Sequence, residues 1–235
     1  MEKYLYLFLD LASFSIPFLF SFEKKWIHFI GRWKAIAAGL GAMALFFLVW
    51  DYAFTKSGVW GFNDRYITGI KAYGLPLEEF LFFILIGYAC LFIYESLHHL
   101  APRPAWGKTA KTLFALIAIV NLVVAVLHTD RLYTFTALAL NAVGLFLVLL
   151  FFKAFPWSKF LLGYAVSLIP FSLVNGVLTG GFTEEPVVWY NNTENLGIRM
   201  GTIPLEDSQY MMLMMLISTG LYEMVLRRNS LPKQA

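Results

Sequence analysis

Cysteine occurs once in the 235 residues, at Cys90, so the chain cannot form an internal disulfide. No Cys/His spacing of a metal site is present either. Charge is scarce: Asp, Glu, Lys and Arg make up 14% of the chain, against about 25% in an average soluble domain. Period-two alternation of polarity is missing, which disfavours a membrane β-barrel. No glycine fingerprint opens a strand–helix unit, and neither a P-loop nor an HExxH pair occurs. The net charge of +3 is small, and the basic residues fall between apolar runs, so nucleic acid is not an expected partner. What is abundant is apolar surface, with 59% hydrophobic residues, 18% aromatics and a mean hydropathy of +0.66. A globule this size cannot bury so much and coat itself with so little charge. The composition describes an integral membrane protein.

A membrane helix needs about 20 mostly apolar residues. Seven stretches qualify, at 4–22, 35–54, 76–97, 112–128, 132–152, 160–179 and 204–226. The fold expected is an all-α membrane bundle. The first stretch carries Glu2 and Asp10 where a signal peptide would be basic, so it is expected to remain as a span. An odd number of spans puts the two termini on opposite sides. Six Lys and Arg residues then fall on the N-terminal side and twelve on the other. The positive-inside bias places the C-terminus in the cytoplasm, with the N-terminus and the loops at about 55–75 and 180–203 outside.

The chain also repeats itself. Pro76-Leu77-Glu78-Glu79 returns as Pro204-Leu205-Glu206-Asp207, 128 residues on. The same shift carries Phe62-Asn63 onto Tyr190-Asn191, Gly69-Ile70 onto Gly197-Ile198 and Tyr94-Glu95 onto Tyr222-Glu223. Upstream the shift is 124, which takes Asp51 and Thr55 to Asn175 and Thr179. Spans one to three therefore repeat as spans five to seven. Span four returns the chain, so both repeats share one orientation, related by an axis along the membrane normal. The expected division is a first three-helix repeat over 1–100, a linking helix and loops over 101–131, and a second repeat over 132–235.

The duplicated acids are the candidates for chemistry. Proline followed by acids is a good way to begin a helix. Two copies opening directly into apolar spans ask for more, because ionisable groups facing a bundle interior are costly and usually functional. Glu78 and Glu79 are about 100° apart around one helix. Glu78 and Glu206 are expected to turn inward, with Glu79 and Asp207 supporting or relaying. Asp51 and Asn175 lie at the same depth, and Asp51 is expected to pair with Arg65 or to hold a glutamate. Asp10 lies deeper and has an apolar repeat mate, so it either relays a proton or accepts a bond from a neighbouring helix. Tyr94-Glu95 and Tyr222-Glu223, about 25 Å along the helices from the acids, are expected to anchor the opposite interface. The methionines, among them Met211, Met212, Met214 and Met215, either pack the core or line a pocket for a long flexible ligand.

The paired motifs resemble those of the membrane-bound carotenoid cyclases, the heterodimeric lycopene cyclases of actinobacteria and the cyclase part of fungal bifunctional enzymes. Trp50-Asp51, Gly58-Val59-Trp60, Phe62-Asn63, Val174-Asn175-Gly176 and Val187-Val188-Trp189-Tyr190-Asn191 share the resemblance. It covers essentially the whole chain, here with both halves fused. The resemblance implies an isomerase of carotenoid biosynthesis that turns the linear ends of lycopene or a related acyclic carotenoid into β-ionone rings. Glu78, Glu79, Glu206 and Asp207 would be catalytic, supported by Pro76, Pro204, Asp51, Asn175, Asn63 and Asn191. Neither a metal nor a redox cofactor is called for, because the reaction gains and loses no electrons. The expected partners are a membrane-dissolved carotenoid, membrane lipid and other carotenoid enzymes. A proton-coupled transporter and a lipid-binding assembly protein remain as alternative readings.

The charge asymmetry makes a topology prediction. A reporter active only outside the cytoplasm, inserted in the 180–203 loop, should be active, and fused at Ala235 it should be silent. The reverse pattern would put both acid motifs at the cytoplasmic face.

Overall fold

A computed structural model describes residues 2–100 and 106–230. Arg103, Lys233, Ala235 and the expected division's ends at 101 and 235 lie outside them. Among the described residues, seven helices are long and apolar enough to cross a membrane. They are α1 (Leu5–Phe20), α2 (Trp33–Lys56), α3 (Leu77–Leu100), α4 (Gly107–Leu127), α5 (Leu132–Phe151), α6 (Trp157–Leu178) and α7 (Leu205–Ser230). All seven coincide with the expected spans. The widest differences are at α4, which begins at Gly107 rather than 112, and at α7, which runs on to Ser230.

The two long loops are more ordered than their polar composition suggests. They hold six short strands: β1 (Trp60–Phe62), β2 (Lys71–Ala72), β3 (Leu75–Pro76), β4 (Val188–Tyr190), β5 (Arg199–Met200) and β6 (Ile203–Pro204). Strands β2 and β3 turn through Tyr73 and Gly74, both at positive φ, as a tight two-residue hairpin needs. Strands β5 and β6 form the matching hairpin through Gly201. Each hairpin feeds its helix directly. Pro76 and Pro204 thus sit one residue before α3 and α7, not within the first turn. The Leu77 N–H donates to the Ile70 carbonyl at 2.8 Å, and Leu205 to Ile198 at 3.0 Å.

Strands β1 and β4 join the two loops. They pair antiparallel as Trp60 with Tyr190, Gly61 with Trp189 and Phe62 with Val188. Gly61 is paired with its own mate at the 128-residue shift, and its neighbours exchange mates, as across a two-fold axis. The flanking bonds repeat too: Asn63 N–H to Val187 O and Asn191 N–H to Val59 O, both at 2.8 Å. Glycine at the centre leaves room for the Trp189 ring, which a Cβ on Gly61 would meet at 2.4 Å.

Packing follows the same pattern. Helix α1 lies on α3 as α5 lies on α7, and α2 crosses to α7 as α6 crosses to α3. Helix α4 packs outside this set, against α5 and α6. The apolar core between them is continuous from Phe29 and Phe47 to Phe160 and Tyr222.

At the end of the bundle away from the loops, Tyr94-Glu95 and Tyr222-Glu223 do not act as interface anchors. They are buried in a charge-paired cluster. Lys159 bridges Glu95 at 2.8 Å and Glu223 at 2.9 Å. Arg32 pairs with Glu95, and Tyr94 donates to Glu223 at 2.7 Å. Cutting one partner from a buried ion cluster leaves charge uncompensated. Lys159→Met should therefore lower stability by about 3–5 kcal/mol, read as a loss of thermal unfolding temperature in detergent. An unchanged midpoint would mean the cluster does not hold this end together.

Candidate active site

The loop ends of α2, α3, α6 and α7 and the start of α1 and α5 enclose a small cavity of about 50 Å³. It is lined by Asp51, Glu79, Asn175 and Asp207, and by the rings of Tyr6, Trp60, Tyr133, Tyr190 and Tyr210. The two acid motifs therefore meet at one end of the bundle, and each contributes its second acid.

Asp207 is held by three donors. Tyr133 donates to one carboxylate oxygen, and Asn175 Nδ2 and Tyr190 Oη donate to the other at 2.7 Å and 3.0 Å. Burial, then the Asp207 carboxylate, push the Tyr190 phenol well above its ordinary value, so that phenol keeps its proton and acts as donor.

Glu79 occupies the matching place and is held differently. Tyr6 donates to it at 2.6 Å, as Tyr133 does to Asp207. Where Asn175 stands in the second half, the first half has Asp51. Asp51 accepts a bond from Trp60 Nε1 at 2.5 Å, and its other oxygen is buried without a partner. Arg65 does not pair with Asp51, as the sequence suggested. It lies at the surface and binds Glu2 at 2.6 Å and Glu184 at 2.7 Å. Asp10 lies one turn beyond Tyr6 on α1, fully buried, and neither of its oxygens has a hydrogen-bond partner. It thus accepts no bond from a neighbouring helix, one of the two roles expected of it.

Glu78 and Glu206 do not turn into the cavity, contrary to expectation. Each reaches back to a loop backbone. Glu78 Oε1 accepts from Thr68 N–H at 2.7 Å, and Glu206 Oε1 from Leu196 N–H at 2.7 Å. Thr134 adds a second donor to Glu206 at 2.6 Å. The physical reason is the strand-to-helix junction. The loop arrives antiparallel to its hairpin and leaves an N–H facing the first helical turn, where the first acid satisfies it. The second acid, about 100° further round, is left to face the axis.

Asn63 and Asn191 stand outside the cavity and build turns. Asn63 Oδ1 accepts from Arg65 N–H at 3.0 Å, and Asn191 Oδ1 from Thr193 N–H at 3.1 Å. Met211 and Met214 are buried in the core, where they also line the cavity. Sequence reasoning missed the tyrosines. Tyr6 and Tyr133 stand 127 residues apart, one off the main shift, and were hidden among twelve Tyr residues. Among the described residues, no group of three or more His, Cys, Asp or Glu is arranged to hold a metal ion.

A family model described as lycopene cyclase matches residues 3–97 and 130–225, about four-fifths of the chain. The chain is also similar to a bifunctional lycopene cyclase/phytoene synthase of Phycomyces blakesleeanus, 41% identical over 68 residues. Those residues are 28% of this chain and 11% of the relative, so the match spans about a tenth of that protein's length. No solved structure matches the chain significantly.

The tie between first acids and loops has a measurable consequence. Glu78→Ala and Glu206→Ala each strand a backbone N–H, at a cost of about 1–3 kcal/mol. Each should lower the thermal midpoint in detergent and speed proteolysis in its own loop. Glu79→Gln, which keeps its size and leaves the loops tied, should do neither.

Proposed function

Because the chain belongs to the lycopene cyclase family, we propose that it closes the linear ends of lycopene, or of a related acyclic carotenoid, into β-ionone rings. The observation that carries the reading is the pair of facing second acids, alike in position and unlike in partners. Asp207 receives three hydrogen bonds, as an acceptor-only carboxylate would. Glu79 receives one, and the place of the Asn175 amide is taken in its half by a second carboxyl, Asp51; among the described residues no Lys or Arg lines the cavity. Like carboxyls crowded together share a proton. Glu79 with Asp51 is thus the proton source, and Asp207 is the base.

The steps balance without an electron acceptor. The acid side gives its proton to carbon 2 of the chain end, which leaves a cation at carbon 1. The carbon 5–carbon 6 double bond attacks it, closing the bond from carbon 1 to carbon 6 and moving the cation to carbon 5. Asp207 removes the proton from carbon 6, and the ring double bond forms. The protein's task is to keep water from the cation and to face it with electron-rich surfaces. Tyr6, Trp60, Tyr133, Tyr190 and Tyr210 around the cavity present rings suited to that. Glu78 and Glu206 fix the helix starts from which the second acids project. Pro76 and Pro204 place those starts, and Asn63 and Asn191 shape the loops above. Residues 1–100 and 132–235 act as two halves of one unit joined through 101–131. The protein works in the cell membrane, with both acid motifs at the outer side.

Purified protein in liposomes, without added flavin or nicotinamide, should turn lycopene into ring product. In D₂O the ring should gain deuterium at carbon 2. Glu79→Gln and Asp207→Asn should each cut turnover at least ~10²-fold, the usual scale for general acid–base groups, with normal protein abundance. An absolute need for reduced flavin, or full activity in both variants, would sink the reading. The same assay separates the transporter and assembly alternatives, which predict no ring.

A further inference from the structure

The acid cavity is too small for more than a few water-sized groups, yet the substrate of the proposed reaction is a long apolar chain. A second cavity of about 360 Å³ lies directly beside it, between α1, α3 and α6. Phe82, Phe171 and Asn175 line both. From Phe82 to Ile93 the second cavity follows α3 for eleven residues, or ~16 Å. Its wall is apolar apart from Ser13, Ser167 and Asn175. Ala12, Ile16 and Pro170 line it and are exposed at the side of the bundle, so the slot opens laterally, where lipid would lie.

The pseudo-symmetry says where a second slot would be, between α5, α7 and α2. Larger side chains stand at the positions there that correspond to the slot's lining. Ser167 and Val174 of the slot correspond to Met43 and Trp50, and Ala89 to Ile217. Met43 and Trp50 are buried, and Trp50 packs on Phe47, Phe54 and Tyr210 with ring centroids 5.0–5.7 Å apart. The backbones differ as well. A Cβ on Gly39 of α2 would meet the Ser218 carbonyl of α7 at 2.5 Å. Its mate, Gly163 of α6, faces Tyr94, one turn beyond Cys90, the mate of Ser218. A Cβ on Gly144 of α5 would meet Leu213 at 2.9 Å, whereas α1 has Pro17 at that place, lining the slot. The two helix-interior prolines, Pro17 and Pro170, both line this slot.

We propose that this one-sided slot holds the apolar chain of the acyclic carotenoid, with one end at the acid cavity, so that each binding event presents a single end for cyclisation. The inference rests on the cyclase reading and adds to it. With one slot and one acid cavity, the second end of a symmetric substrate reaches the acids only after the chain leaves and re-enters reversed. A free one-ringed product must therefore precede any two-ringed one.

Two measurements test this, lycopene retained by the purified protein on gel filtration and ring formation in liposomes. Ser167→Met and Ala89→Ile, each placing the mate's larger side chain in the slot, should reduce both at least tenfold. Leu173→Met, on the exposed face of α6 outside the slot, should change neither. Glu79→Gln should keep retention and lose ring formation. In a pulse of labelled lycopene chased with excess unlabelled lycopene, the label should stop in the one-ringed product. Retention and turnover of the wild-type level in both slot variants would overturn the slot, and label passing straight into two-ringed product would overturn the single-end rule. Wild-type protein that retains lycopene without ever forming a ring would leave the slot standing and defeat the cyclase reading instead.

Discussion

One phenol donating to one carboxylate closes each three-helix repeat: Tyr6 to Glu79 and Tyr133 to Asp207. A carboxyl within an apolar bundle is expensive unless donors meet it. Tyrosine is suited to the task, since it buries a ring and still carries a hydroxyl to the acid. The bond fixes how far the first helix of each repeat slides along the third. It also brings a ring to the rim of the acid cavity. The first acids, occupied with the loops, hold the helix starts from which the second acids project. Without them the cavity would have no fixed roof.

Duplication alone would produce two equal carboxyls, a poor arrangement for the proposed reaction, which must give a proton and take one. The structure departs from equality at a few positions around a shared backbone. Asn175 stands opposite Asp51, and Thr134 opposite Leu7. Asp10 stands opposite Ala137. Each difference adds a donor to the second half or a carboxyl to the first. The halves thus share geometry and differ in the hydrogen-bond partners of their acids. The slot follows the same logic, since small residues and two prolines on one side face bulky rings on the other.

Much of this was legible in the chain. Seven spans followed from apolar run length, because lipid leaves helices little alternative. The repeat was visible because polar residues realigned at a fixed shift within an apolar sequence. The meeting of the acid motifs followed from the parallel orientation of the repeats. What the sequence did not show depended on direction. Glu78 and Glu79 are adjacent, and only the loop N–H of Thr68 decides which of them turns away from the axis. The pairing of Gly61 with Trp189 was hidden because three-residue strands leave no periodic signal. Lys159 was counted as a loop charge, yet it lies inside α6 and bridges two glutamates from different helices.

The two ends of the bundle bury carboxyl groups by opposite means. At one end, Glu95 and Glu223 meet Lys159 and Arg32, and each of these four has a counter-charge. At the other, Glu79 and Asp207 meet phenols and an amide, and among the described residues no Lys or Arg lines the cavity. A paired cation would hold a carboxylate ionised and take away its capacity to exchange a proton. Phenols and amides satisfy the oxygens and leave that capacity intact. The ion-paired cluster is therefore fixed by its counter-charges, while the cavity free of Lys and Arg among the described residues keeps the capacity that the proposed reaction would use. The repeat supplied both ends with the same pair of carboxyl positions, and the neighbours around them set which pair is bound to cations and which pair the proposed reaction can use.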